Sequence, residues 1–308
     1  MKGSPAKPMV DTDGKRSTGR FGILAYPAAH SLSPVMFEAA FKAAGITDAS
    51  YEIFEVAPSG FVDFMCALRA REFDGLSVSL PYKVRVMEYL DFVAEDAKKI
   101  GAVNTISRGR VLSRGQLKAG TQLYGSNTDW VGAIEALKEE CEILCGKKVV
   151  VLGAGGAARA LAYGLLCEGA KVVVLGRDLS KARDLGEDFG VEVGLLSDLN
   201  RDTSEYECDI LVQATSVWIT SGLDVKIVPD SYVAGIGARG GIVMDIVYTP
   251  LITPLLEVAQ KTGCRIITGE KMLLNQAVKQ FEIWFGEGPM NEIVREAMKK
   301  ALISACEI

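Results

Sequence analysis

The chain has 308 residues, a formal net charge of −5 with both signs interspersed, and 49% hydrophobic residues. That length suits two domains with sizeable buried cores, and the acidic balance argues against a nucleic-acid partner, which would want a basic stripe. Seven cysteines without Cys-x-x-Cys spacing, beside a single histidine at His30, argue against a bound metal of the zinc type.

Residues 1–19 are polar, rich in Lys, Gly, Ser and Pro, and lack the apolar stretch of a secretory signal, so they read as a disordered tail. No run of about 20 apolar residues predicts a membrane span. Cys66 in FMCAL and Cys167 in LLCEG read as small core residues in a reducing compartment, hence a cytoplasmic protein.

FGILAY (21–26), YEIFEV (51–56) and GLSVSL (75–80) read as strands. Ser33-Pro34 opens a helix, with Ser as N-cap and Pro at the first helical position. Further helices are expected after Pro58 and after Pro81. This alternation predicts an open α/β domain over residues 20–128, completed by the C-terminal helices of 270–308.

The next stretch is more regular. KKVVVL (147–152) is a fully apolar strand of the buried parallel type. GAGGAA (153–158) is a turn, and RALAYGLLCEG a helix ending at Gly169. KVVVL (171–175), DILVQA (209–214), GIVMDIVY (241–248) and RIIT (265–268) supply later strands. Residues 129–269 therefore read as a doubly wound dinucleotide-binding (Rossmann) domain, the two domains flanking a cleft. MLLNQAVKQFEIWF and EIVREAMKKALI are two amphipathic helices at the end.

Gly153-Ala154-Gly155-Gly156-Ala157-Ala158 follows a strand and opens a helix, which turns a weak glycine pattern into a strong one. Gly153 permits the tight turn, Gly155 lets the backbone approach a pyrophosphate, and Ala158 keeps the helix close to the strand. The helix N-terminus offers N–H donors to phosphate. At the end of the second strand, Arg177 and Lys181 could hold a 2′-phosphate and favour NADP. Asp178 either caps the following helix or accepts from a ribose 2′-hydroxyl, which keeps NAD open.

Reducing a ketone needs a proton donor beside the developing alkoxide. Lys83, in the first turn after the GLSVSL strand, is the candidate; on that run alone a surface lysine is the commoner outcome. Asp129 lies where the first region hands over to the second, and could reach a cleft, cap the helix WVGAIEALKEE, or do both.

Taken together these segments resemble the shikimate dehydrogenase family. Ala29-His30-Ser31-Leu32-Ser33-Pro34 is similar to its substrate-binding loop, and Ser77-Val78-Ser79-Leu80-Pro81-Tyr82-Lys83 to its catalytic-lysine segment. Gly101 to Thr105, Asn127-Thr128-Asp129, Gly153 to Ala157, Ala214-Thr215-Ser216, Asp245 to Tyr248 and Met272 to Gln276 continue the match in the family's order. The resemblance implies reversible NADPH-dependent reduction of 3-dehydroshikimate to shikimate, a step of chorismate and aromatic amino acid biosynthesis, by a monomer or homodimer whose partner is a small molecule. Lys83 and Asp129 would form the proton-transfer pair. Ser31 and Ser33 would hold the substrate carboxylate. Ser79, Asn104, Asp129 and Gln276 would meet the ring hydroxyls, with Tyr248 lining the pocket. Gly153, Ala154, Gly155, Gly156, Ala157, Arg177, Lys181, Thr215, Ile246 and Gly269 would contact the cofactor, and His30 would shape its loop without carrying the proton.

Ser77 stands where the family commonly has Asn, and Ser79 where it commonly has Thr; loss of the Thr methyl slightly enlarges the pocket and weakens discrimination against quinate. Gly176 and Asp178 replace the usual Asn and Thr of the phosphate turn, and Trp218-Ile219 a usual Gly-Met. Two alternatives therefore stand beside the main reading: an NAD-dependent quinate/shikimate dehydrogenase, and a non-catalytic dinucleotide-sensing module.

Overall fold

The computed structural model describes residues 19–29, 31–70, 73–111, 117–200, 205–217 and 225–306. The tail up to residue 18, His30 and Trp218-Ile219 lie outside the described residues. Gly19 belongs to the first strand. The chain divides into two compact units, Met1–Thr128 with Gln276–Cys306, and Asp129–Asn275.

In the first unit β1 (Gly19–Ala25) lies between β2 (Ala49–Glu55) and β3 (Gly75–Val78), all three parallel. The sheet then turns antiparallel through β5 (Thr105–Val111) and β6 (Leu117–Ser126), with the short β4 (Phe92–Val93) at the far edge. Strand order among the described residues is β2-β1-β3-β5-β6-β4. The β5–β6 pair has no counterpart in the sequence reading, because TISRGRV and LKAGTQLYGS mix charges and glycines where a strand signal would be apolar or alternating.

Helices α1 (Ser33–Ala43), α2 (Phe61–Ala70) and α3 (Glu95–Ile100) connect these strands. Ser33 is inside α1 rather than capping it; Leu32 holds the N-cap position, and the Ser33 N–H donates to Ser31 Oγ at 3.4 Å. No α-helix follows Pro81. A turn leads to a 3₁₀ segment, Arg85–Tyr89. The Lys83 carbonyl accepts from Val103 N–H at 2.7 Å, so a neighbouring segment takes the acceptor a helix would have used. Cys66 and Cys167 are exposed, on the solvent sides of their helices rather than in the core.

The second unit carries an all-parallel sheet in the order β12-β11-β10-β7-β8-β9. Its strands are β7 (Lys148–Leu152), β8 (Lys171–Gly176), β9 (Glu192–Leu195), β10 (Ile210–Gln213), β11 (Ile242–Asp245) and β12 (Arg265–Ile267). Helices α4 (Asp129–Glu140), α5 (Gly156–Cys167), α6 (Leu179–Phe189), α7 (Asp230–Ala238) and α8 (Pro254–Lys261) cover it. Val149 and Val151 face one apolar cluster while Val150 and Leu152 face another, which is why β7 is apolar throughout.

α9 (Gly269–Phe285) and α10 (Glu292–Cys306) end the chain. In the first unit Phe21, Phe37, Phe41, Phe281, Trp284 and Phe285 form one aromatic cluster. Trp284 is 3% exposed and its Nε1 donates to the Ile106 carbonyl at 3.1 Å. A Cβ on Gly75 would stand 2.4 Å from that same nitrogen. Gly75→Ala should therefore destabilise the first unit by about 1–3 kcal/mol through overpacking. A lower thermal midpoint, followed by tryptophan fluorescence, is the expected outcome; an unchanged midpoint would show that the indole can move at no cost.

Candidate active site

In the first unit the residues expected at a site collect at the carboxyl ends of β1 and β3, where an open α/β sheet binds ligands. Ser31 and Ser33 follow β1, joined by the bond already described; Ser31 is half-buried and Ser33 is 4% exposed. Ser79 lies just past β3, held by its N–H on the Leu24 carbonyl at 2.9 Å. Lys83 is half-buried on the following turn. That turn is anchored by Tyr82, whose buried ring stacks on Phe61 and whose hydroxyl donates to the Val56 carbonyl.

Asn104 and Gln276 meet directly. Asn104, 2% exposed, donates through Nδ2 to Thr128 Oγ1 at 2.9 Å and to Gln276 Oε1 at 3.2 Å. Its Oδ1 accepts from Thr128 N at 2.8 Å and Thr105 Oγ1 at 2.7 Å. In the sequence Thr105 and Thr128 stand within matched motifs without a role of their own, and Gln280 was missed. Gln280 donates through Nε2 to the Asn104 carbonyl at 3.0 Å and to Thr105 Oγ1 at 2.9 Å. Ser77, read as a mere departure from pattern, donates to Gln280 Oε1 at 2.9 Å and accepts from Tyr51 at 2.7 Å. A signal was available: Gln276, Gln280 and Trp284 recur every fourth residue, one stripe of a helix.

In the second unit the strand order reverses between β7 and β10, the crevice where dinucleotides bind in this topology. Gly153, at φ +115°, lies there, and a Cβ on it would stand 2.9 Å from the Ala214 carbonyl, so only glycine fits. Gly155 is different: a Cβ there would meet nothing within 4 Å, leaving open space over the first turn of α5. Ala154, Gly156 and Ala157 complete that turn. Thr215 follows β10 with its N–H on Gln213 Oε1 at 2.6 Å and its carbonyl accepting from Gln213 Nε2 at 3.1 Å. Gly269 opens α9 where a Cβ would come 2.5 Å from the carbonyls of both Ile246 and Val247, so its lack of a side chain closes the helix onto that loop.

Arg177 and Lys181 are exposed at the end of β8 and on α6. Asp178 caps α6, its Oδ1 accepting from Ser180 N at 3.0 Å and Lys181 N at 3.4 Å. Beside Arg177 lies a cavity of about 300 Å³, with Leu195, Leu196, Ser197, Asn200 and Val217 in its wall. Asp129 opens α4 at 4% exposed. Tyr248 and Ile246 follow β11, on a loop tied down by the fully buried Asp245, which accepts from Val247 N at 3.0 Å and Thr253 Oγ1 at 2.9 Å.

Residues 23–106 match the shikimate dehydrogenase substrate binding domain, residues 135–220 the shikimate/quinate 5-dehydrogenase family, and residues 269–303 the shikimate 5′-dehydrogenase C-terminal domain. The chain is 41% identical over 282 residues to the shikimate dehydrogenase (NADP(+)) of Pyrococcus abyssi, covering 92% of this chain and 98% of the relative. The shikimate 5-dehydrogenase of Thermus thermophilus, solved in complex with NADP(H) and shikimate, is similar with a TM-score of 0.75 at 34% identity, over 92% of this chain and 99% of that one. The enzyme from Listeria monocytogenes, solved with shikimate and NAD, reaches a TM-score of 0.75 at 31% identity, over 92% and 96% of the two chains.

Burial pushes the Asp245 carboxyl up from 3.8 to about 7, against the opposing pull of its two hydrogen bonds. Below about pH 4 both folded and unfolded chains hold this proton, and well above pH 7 neither does. Between those limits the folded chain keeps a proton that the unfolded chain has released. The contribution of Asp245 to stability therefore falls as pH rises from about 4 to about 7. Asp245→Asn keeps an acceptor for Val247 and can donate to Thr253 without titrating. Thermal midpoints across this range should fall for the parent relative to the variant as pH rises; a constant difference would contradict the assignment.

Proposed function

The chain belongs to the shikimate dehydrogenase family, and on that premise we propose that it catalyses the reversible NADP(H)-dependent reduction of 3-dehydroshikimate to shikimate in aromatic amino acid biosynthesis. The observation that carries the reading furthest is the buried, hydrogen-bonded Asn104–Gln276 pair, whose strand end is tied to the Lys83 turn through the Val103 N–H. The Pyrococcus relative bears that activity in its name, and the Thermus relative was solved with both ligands.

The second unit suits the cofactor. Open space over Gly155 admits a pyrophosphate to the N–H groups of α5, and no side chain caps that helix end. Gly153 to Ala157 would hold the pyrophosphate, Arg177 and Lys181 the 2′-phosphate, and Thr215, Ile246 and Gly269 would border the nicotinamide half. When bound, the nicotinamide supplies or accepts the hydride. With Asp178 engaged as a helix cap, the ground for reading it as a ribose ligand weakens, which favours NADP.

The protein's own groups would manage the substrate. Ser31 and Ser33 offer hydroxyl donors to its carboxylate. Ser79, Asn104 and Gln276 fix the ring hydroxyls, and Tyr248 borders the ring. The Lys83 ammonium gives its proton to the substrate oxygen as negative charge develops there during reduction, and takes it back in the reverse direction. Asp129 would be the second member of the proton-transfer pair, the role that the family resemblance implies for it. Among the described residues no helix is long and apolar enough to cross a membrane. We place the enzyme in the cytoplasm, acting as a monomer or homodimer.

Lys83→Ala should lower kcat by roughly 10²–10⁴-fold and change the shikimate KM much less, because the ammonium acts chiefly in the transition state. A variant keeping more than about a tenth of the parent kcat would remove Lys83 from proton transfer. Arg177→Ala should weaken NADPH binding by about 10–150-fold, the equivalent of losing a charge-assisted contact worth roughly 1.5–3 kcal/mol. Fluorescence titration of the free enzyme checks this without turnover. NADH binding should barely change, and equal losses for both cofactors would transfer Arg177 to some other role.

A further inference from the structure

We propose that Gln280, acting through Thr105, is a positioning residue that supplies the second anchor, beside the Thr128 N–H, holding the Asn104 side chain in place for substrate binding; the inference rests on the reading of Asn104 as a substrate contact.

Backbone groups, whose donor or acceptor character is fixed, decide both amides. The Thr128 N–H can only donate, so the Asn104 atom 2.8 Å away is its oxygen. The Asn104 carbonyl can only accept, so the Gln280 atom 3.0 Å away is its nitrogen. The rest follows in one direction. Gln280 must turn its oxygen toward Ser77, which therefore donates to it and accepts from Tyr51. Gln280 Nε2 also reaches Thr105 Oγ1, which must then spend its single proton on Asn104 Oδ1. Asn104 is left to present its NH₂ group to Thr128 Oγ1 and Gln276 Oε1.

Every member of this chain is buried: Asn104 and Gln280 are each 2% exposed and Thr105 is 0% exposed. Water cannot replace a missing donor there, so an unanswered acceptor would carry its full desolvation cost. Without the Gln280 N–H, Thr105 is free to turn its proton away, Asn104 Oδ1 keeps only the Thr128 N–H, and the amide is held less firmly. Ser77 and Tyr51 belong to the same chain one step further out, which gives Ser77 a role of its own.

The test compares Asn104→Ala, Gln280→Leu, Thr105→Val and the Gln280→Leu/Thr105→Val pair, measuring kcat, the KM values for shikimate and NADP⁺, and the thermal midpoint. Asn104→Ala should raise the shikimate KM, as the underlying reading requires. Gln280→Leu and Thr105→Val should each raise it about tenfold, the scale of one lost buried hydrogen bond. The NADP⁺ KM should stay unchanged, and the double variant should be no worse than the worse single one, since both interrupt one path. A Gln280→Leu protein with a lowered midpoint but the parent's shikimate KM would overturn the proposal and leave Gln280 a purely structural residue. Should Gln280→Leu fail to fold, Thr105→Val decides: a raised KM supports the proposal and an unchanged one overturns it. An unchanged KM in Asn104→Ala would overturn the substrate role of Asn104, and this proposal with it.

Discussion

A buried amide must have its donors and acceptors answered from within the protein, and in the first unit that requirement falls on Asn104. Its carbonyl and side chain together accept from Val78 N, Thr128 N, Thr105 Oγ1 and Gln280 Nε2, and its NH₂ reaches Thr128 and Gln276. These partners come from β3, β5, the end of β6 and α9. One residue's hydrogen-bonding inventory thus ties α9 to the sheet. The aromatic packing of Phe281, Trp284 and Phe285 supplies the burial that makes each of those bonds hard to give up.

The second unit is organised by the opposite means, through the absence of side chains. Gly153 and Gly269 each occupy a place where a Cβ would run into carbonyl oxygens, so two backbone segments can close at the end of the sheet. Around them short polar clamps hold the loops: Gln213 on both backbone groups of Thr215, and Asp245 on Val247 and Thr253. Holding an acidic group in such a place has a cost in stability that grows with pH, and what it secures is a fixed loop carrying Ile246 and Tyr248.

The parallel strands of the second unit were legible because they are buried on both faces; KVVVL and its neighbours can be little else. β9 was not read, since EVGL is short and partly exposed. The β5–β6 pair was hidden for the related reason that its polar residues and glycines carry no period. Proline misled after residue 81, where a helix start was expected but the Lys83 carbonyl is claimed by Val103. Cys66 and Cys167 misled through their apolar neighbours, because one helical step separates a buried position from an exposed one. The glycine turn and the family motifs were plain, whereas the residues behind them were not. Gln280 lies 176 positions from Asn104, and only folding brings the two together.

The central claim is that the chain turns over shikimate with NADP⁺. Steady-state kinetics of the wild-type protein with shikimate and with quinate, each with NADP⁺ and with NAD⁺, test it most directly. The highest kcat/KM is expected for shikimate with NADP⁺. A higher value for quinate with NAD⁺ would contradict the substrate and cofactor assignment, and the absence of turnover in all four combinations would contradict the enzyme reading itself.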